Sequence, residues 1–150
     1  MANGSNPQAG PATLAHFVID TGRNGRGPLD VVPYAAAPYN QPAAVLSGLN
    51  GGNWCNPPGA GVGLRPTTTT GDPLADAYLW VKTPGGSDGS CDIAGGARAW
   101  DYVAYDPWGV VGDAEDHFDP LWGVVDPAAG AWFPEQAVQL ARNASPPLLP

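Results

Sequence analysis

The sequence predicts an α/β fold, and three observations predict it. Two short apolar runs, residues 14–20 (LAHFVID) and 77–82 (AYLWVK), each end in a charged side chain and each open into a glycine-rich loop, TGRNGRG and TPGGSDGSC. Short apolar runs bounded by turn signals are the pattern of buried parallel strands. The third observation is a late amphipathic segment, PEQAVQLARN, which starts on Pro134, carries Glu135 near its positive end and Arg142 near its negative end, and so reads as a helix. In sheets of this class, function gathers at the carboxyl ends of the strands.

Taken in chain order, residues 1–13 read as a tail and 14–20 as the first strand with its loop. Residues 28–58 are rich in Pro, Ala, Asn and Gly and form a long surface excursion with one helical turn at about 43–49. The second strand and its loop follow. Residues 100–126 (WDYVAYDPWGVVGDAEDHFDPLWGVVD) are aromatic and acidic, with Asp-Pro recurring at Asp106, Asp119 and Asp126. They read as a structured insertion in which the WGVV words at Trp108 and Trp122 form a local hairpin. The helix on Pro134 closes the order.

Glycine and proline supply 39 of the 150 residues, and Leu, Ile, Val and Phe together only 28. That composition borders on low complexity, while six Trp and five Tyr belong to a chain built to pack, though not by itself. With 14 acidic against 6 basic residues the net charge is −8, which disfavours nucleic acid and anionic membrane and leaves a neutral partner. No run approaches the roughly 20 apolar residues of a membrane span, and residues 1–10 lack the basic and apolar regions of a signal peptide. Cys55 and Cys91 make neither a metal set nor a CxxC motif. They read either as one long-loop disulfide of an exported protein or as two reduced, packed thiols.

Phosphate loops, nucleophile elbows and zinc-ligand spacings are absent from the sequence, so neither cofactor nor metal is expected. What it does carry is carboxylates at strand ends with Arg, Lys and Trp nearby. That set suits a sugar, whose apolar face lies on aromatic rings while its hydroxyls bind charged groups.

Three blocks carry a resemblance. Residues 16–28 (HFVIDTGRNGRGP), 53–91 (NWCNPPGAGVGLRPTTTTGDPLADAYLWVKTPGGSDGSC) and 129–144 (AGAWFPEQAVQLARNA), 68 residues in all, closely resemble in order the C-terminal half of glycoside hydrolase family 6, the endoglucanases and cellobiohydrolases, most of all those of actinobacterial type. The resemblance implies part of a distorted β/α barrel with long loop insertions, and a cleft at the strand ends in which β-1,4-glucan is hydrolysed with inversion. It implies one incomplete catalytic domain over 1–150, with 14–93 and 128–144 family-like and 94–127 an insertion. It also implies an extracellular protein, whereas the chain as given would stay in the cytoplasm.

Residue by residue, the resemblance makes Asp88 the proposed base and Arg23 and Lys82 the cations that orient and ionise it; the other reading of these three is a structural ion-pair cluster. Trp54 matches a glucose-stacking tryptophan, with a core tryptophan as its alternative, and Lys82 a sugar-hydroxyl ligand. Asp20 and Asn24 stand at the same strand end, where Asp20 either contacts substrate or holds the loop. The family also places a disulfide where Cys55 and Cys91 stand. His16, inside the first strand, reads as a satisfied core histidine, and His117 as part of a solvated acidic face.

The departures are as informative. The family's general-acid loop and its Glu-Pro-Asp strand have no counterpart in these residues, and Gly86 stands where the family has a sugar-binding Glu. The partners expected are therefore β-1,4-glucan and an N-terminal half encoded upstream, with no activity from this chain alone. A non-catalytic β-glucan-binding module and an unfolded remnant of a split gene are the alternatives.

Overall fold

The computed structural model describes residues 14–51, 55–91, 100–106 and 118–148. Strand β1 (Phe17–Asp20) pairs in parallel with β2 (Ala75–Leu79), in the register Val18 to Ala77, Ile19 to Tyr78 and Asp20 to Leu79. The parallel pairing of the two strand-and-loop units is the one the sequence implies, and it brings their carboxyl ends side by side. The loops are then locked together: Thr21 N–H donates to Leu79 O at 2.8 Å, and a Cβ on Gly22 would stand 2.5 Å from Lys82 O, so only glycine lets the two backbones approach this closely.

The expectation that β1 is buried is wrong. Phe17 is 45% and Val18 52% exposed, and Leu79 on β2 is 38% exposed. A strand is buried by what covers it, and among the described residues this sheet has two strands only. His16 precedes β1 and is not a core histidine; its Nδ1 lies 2.7 Å from Asp76 Oδ1 with both side chains exposed. Strand β2 also stops at Leu79, three residues before Lys82.

Helices α1 (Val32–Ala35) and α2 (Ala43–Asn50) interrupt the long excursion, and Leu49 of α2 is 2% exposed. The insertion contains a hairpin of β3 (Phe118–Asp119) and β4 (Val124–Val125). The second WGVV word thus pairs with the residues just before it; Trp108 lies outside the described residues. Excursion and insertion meet in a cluster of rings, Tyr34, Tyr39, Trp100 and Tyr105, with centroids 4.8 to 6.3 Å apart. Buried Gln41 ties them, donating to Asp101 O at 3.1 Å and accepting from Asp101 N–H at 2.9 Å.

Helix α3 (Pro134–Arg142) follows its sequence signals closely, with Pro in the first turn, Glu135 beside it and Arg142 in the last turn. Gln136 and Leu140, four residues apart and therefore on one face, are its buried positions. Leu140 joins Ala60 and Val62 in the core, against which Trp80, Ala144 and Leu148 pack. This small core lies behind the strand ends and fixes α3 and the 60–63 segment beneath the loops. No helix among the described residues is long and apolar enough to cross a membrane.

Candidate active site

Asp20, the last residue of β1, accepts from Gly22 N–H at 2.9 Å through Oδ1 and from Lys82 N–H at 3.0 Å through Oδ2. One carboxylate therefore shapes its own loop and holds the neighbouring one. That fixes Arg23 and Lys82 on adjoining loops at the carboxyl end of the sheet, and between them stands Asp88. Arg23 Nη1 donates to Asp88 Oδ2 at 2.5 Å, and Lys82 Nζ donates to Asp88 Oδ1 at 2.7 Å. Oδ2 also accepts from Asn56 N–H at 2.8 Å.

The turn before Asp88 is shaped by two glycines with different needs. Gly85 has φ +86°, and a Cβ there would lie 2.5 Å from the Trp132 ring, whereas a Cβ on Gly86 would meet Thr83 O at 3.3 Å and Lys82 Nζ at 3.9 Å. Gly86, where a carboxylate is the expected residue, thus faces Lys82 directly. Lys82 Nζ also donates to Ser87 O at 3.0 Å, so Asp88 and Ser87 take two of its three N–H donors. Ser87 is fully buried, and its hydroxyl donates to Pro127 O at 2.7 Å, which pins the turn to the start of the 127–131 segment.

Burial pushes the Asp88 carboxyl up. The hydrogen bonds from Lys82, from Asn56 N–H and from Arg23, together with the Arg23 charge, outweigh it, so the group sits below its ordinary range. The side chain keeps about a fifth of its surface open to solvent, at 20%. Asp88 is thus a carboxylate that stays ionised at neutral pH and is reachable from solution. It can orient a water or a sugar hydroxyl, and its low basicity makes it a weak proton acceptor.

Of the residues singled out in the sequence, Asp20, Arg23, Lys82, Gly86 and Asp88 come together here. Asn24 is exposed on the next step of the Arg23 loop; both residues line a groove of about 640 Å3 with Leu29, Leu49 and Pro58. Trp54 and His117 lie outside the described residues. Cys55 and Cys91 are disulfide-bonded with Cα atoms 5.7 Å apart, closing the Asp88 corner from behind. Cys91 also lies with Asp119 and Asp126 in the one grouping of potential metal ligands among the described residues. Its sulfur is committed to the disulfide, and the two carboxylates serve the fold: Asp119 Oδ1 accepts from Leu121 N–H at 2.8 Å and Asp126 Oδ2 from Cys91 N–H at 3.2 Å. That is a poor donor set for a cation. The residue that sequence reasoning missed is Asn56, which sits in the quoted NWCNPP word, where Asn before Pro marks a turn.

The model of the family described as "Glycosyl hydrolases family 6" matches residues 4–144. The chain is 38% identical over 132 residues to the 1,4-beta-D-glucan cellobiohydrolase C of Emericella nidulans, covering 88% of this chain and 22% of that protein. Over 136 residues it is 38% identical to the 1,4-beta-D-glucan cellobiohydrolase CEL6C of Podospora anserina, covering 89% and 25%. Among solved structures it matches a mutant of the cellobiohydrolase Cel6A from Humicola insolens, in complex with methyl-tetrathio-alpha-d-cellopentoside, with TM-score 0.53 and 34% identity over 89% of this chain and 28% of that one. The chain thus spans about a quarter of the length of the proteins it matches.

Proposed function

This chain belongs to glycosyl hydrolase family 6, and from that premise we propose that residues 1–150 are the C-terminal portion of one cellulase catalytic domain, hydrolysing β-1,4-glucosidic bonds with inversion and supplying the base side of its cleft. The observation that carries this reading is the Arg23–Asp88–Lys82 cluster at adjoining strand ends. On this reading Asp88, kept ionised by the two cations, orients the attacking water. Trp54 stacks on a glucose ring, Lys82 binds a sugar hydroxyl, and Asp20, Asn24 and the space at Gly86 border the same sugar. The partial sheet is an arc of a distorted β/α barrel, with 94–127 inserted into it. The disulfide supports an extracellular setting.

Inverting hydrolysis needs a second carboxyl group, the general acid, roughly 6.5 to 9.5 Å from the base across the bond to be cut. Asp20, the other carboxylate at the strand ends, spends both oxygens on backbone N–H groups and cannot fill that role. On this reading the acid, and the cover for the open sheet, belong to the part of the catalytic domain outside the quarter of their length over which the relatives match. Endo action is the finer part of the proposal. It follows the sequence motifs, while the relatives carry both cellobiohydrolase and endoglucanase names.

The test joins residues 1–150 to a polypeptide carrying the rest of a family 6 catalytic domain and follows sugar release from soluble β-1,4-glucan. The pair is expected to turn over with the α-anomer as first product, and Asp88→Asn to lower kcat at least about 10²-fold. A folded pair that is inactive, or one indifferent to Asp88→Asn, would overturn the assignment. Viscosity loss set against soluble sugar released separates endo from exo action.

A further inference from the structure

Asn56 holds the Asp88 turn from two directions at once. Its main-chain N–H donates to the Asp88 carboxylate, and its side-chain Oδ1 accepts from Asp88 N–H at 2.8 Å. Its Nδ2 donates to Gly89 O at 3.0 Å, and its carbonyl accepts from Trp122 Nε1 at 2.6 Å. The residue is 0% exposed and sits at φ +38°, in the left-handed region that asparagine tolerates better than most non-glycine residues. Cys55 immediately precedes it and Cys91 lies two residues beyond Gly89, so a covalent rung stands beside the hydrogen-bonded ones.

We propose that Asn56 is a positioning residue for Asp88, clasping the 87–89 turn so that Oδ2 faces Arg23 and Oδ1 faces Lys82. This rests on the reading of Asp88 as the base-side carboxylate. The chemistry of the side chain is specific to the task. Glycine would keep the backbone conformation and the N–H but lose both side-chain bonds. Aspartate would keep the acceptor for Asp88 N–H but set a carboxylate oxygen against Gly89 O and add a negative charge beside Asp88. Serine is too short to span both partners. A structural asparagine would need only to close the turn; this one also places its own N–H on the carboxylate that the reaction uses.

The experiment is a pH titration of the oxidised 1–150 chain by NMR, reading the Asp88 carboxyl carbon and the Asn56 amide proton together. In the unsubstituted protein the Asn56 amide proton should shift with the same midpoint as the Asp88 carboxyl, since the bond weakens as that group protonates. Absence of an inflection there would overturn the proposal without recourse to any variant. In Asn56→Gly the Asp88 midpoint should rise toward the ordinary carboxylate range, and in Asn56→Asp it should rise further. A folded, disulfide-linked Asn56→Gly with an unmoved Asp88 midpoint would reduce Asn56 to a turn-former. None of these readouts requires turnover, so a failure here is distinct from inactivity of the joined enzyme.

Discussion

The Asp88 corner and the β1–β2 sheet are neighbours with opposite degrees of closure. At the corner, Cys91, Ser87 and Asn56 are 0% exposed, every named charge has a partner, and a disulfide spans 36 positions of sequence. In the sheet, Phe17, Val18 and Leu79 stand open, and Val81 just beyond β2 is 67% exposed. Hydrogen bonds and ion pairs are satisfied by a few well-placed groups from nearby loops. An apolar sheet face is satisfied only by a comparable area of apolar surface. The difference teaches that a closed charged cluster can be assembled by a few loop residues, whereas the two-stranded sheet beside it stands open among the described residues.

The largest expected effect tests the closed side of this comparison. Replacing Cys55 and Cys91 by Ala, or reducing the bond, should lower stability by about 3 to 4 kcal/mol on the loop-entropy account. Denaturant titration reads it, and hydrogen exchange should show the Ser87 to Gly89 amides losing protection before those of β1 and β2. Uniform loss would show that corner and sheet open as one unit.

Asp88→Asn should cost less, roughly 1 to 3 kcal/mol, because it leaves the partly exposed Arg23 and Lys82 without their shared anion. The sign with pH is definite. Asp88 has a lowered pKa in the fold, so its contribution is fully present above the ordinary carboxylate value and is lost as pH falls through the lowered folded-state value. Melts of both proteins between about pH 7 and pH 2 should therefore converge on the acid side. A gap that stays constant across that range would mean that Asp88 acts by shape alone.

How much of this was legible in the sequence follows the same divide. The charged ends of 14–20 and 77–82 and the helix on Pro134 are local signals, and local chemistry honours them: the strands pair in parallel and Asp20 ties the two loops together. The meeting of Arg23, Lys82 and Asp88 was legible through the resemblance of the three blocks to a family. Burial of β1 was misread because burial is a property of the covering layer, which a strand's own residues do not encode. Asn56 was invisible because its importance lies in a positive φ and in contacts 32 positions away along the chain, neither of which has a periodicity to detect. The ring cluster of Tyr34, Tyr39, Trp100 and Tyr105 was hidden for the same reason: a surface excursion and a structured insertion, read separately, are each other's packing partner.

Gly86→Glu probes the edge of the corner. The backbone there is not in the left-handed region, unlike Gly85, so the penalty for a side chain is the tight approach to Thr83 O at 3.3 Å and little else. A Glu beginning 3.9 Å from Lys82 Nζ would share that cation with Asp88 and present a charged acceptor to a sugar. Such a hydrogen bond contributes roughly 1.5 to 3 kcal/mol, so cellobiose binding by the joined domain should tighten about tenfold, read by calorimetry. Gly85→Ala is the control, expected to destabilise through the Trp132 ring contact. Equal or weaker binding in a stable Gly86→Glu protein would remove Gly86 from the sugar's surroundings.

The smallest effect is expected from Val18→Thr in the 1–150 chain, and its size decides what the open sheet is for. Val18 is 52% exposed, and threonine keeps its shape and β-branching, so exchanging one methyl for a hydroxyl at this site should change stability by no more than about 0.5 kcal/mol. On the proposed reading the same residue is expected to be buried once the remainder of the domain is joined. A hydroxyl then has to be dried without an assured partner, and the substitution should cost roughly 1 to 3 kcal/mol. The comparison is therefore between two melts of the same variant, alone and joined, with sedimentation at two concentrations to exclude pairing of the isolated chain with itself. A cost above about 1 kcal/mol in the monomeric 1–150 chain would show the face already covered, and an equal small cost in both states would show that the added polypeptide does not use it.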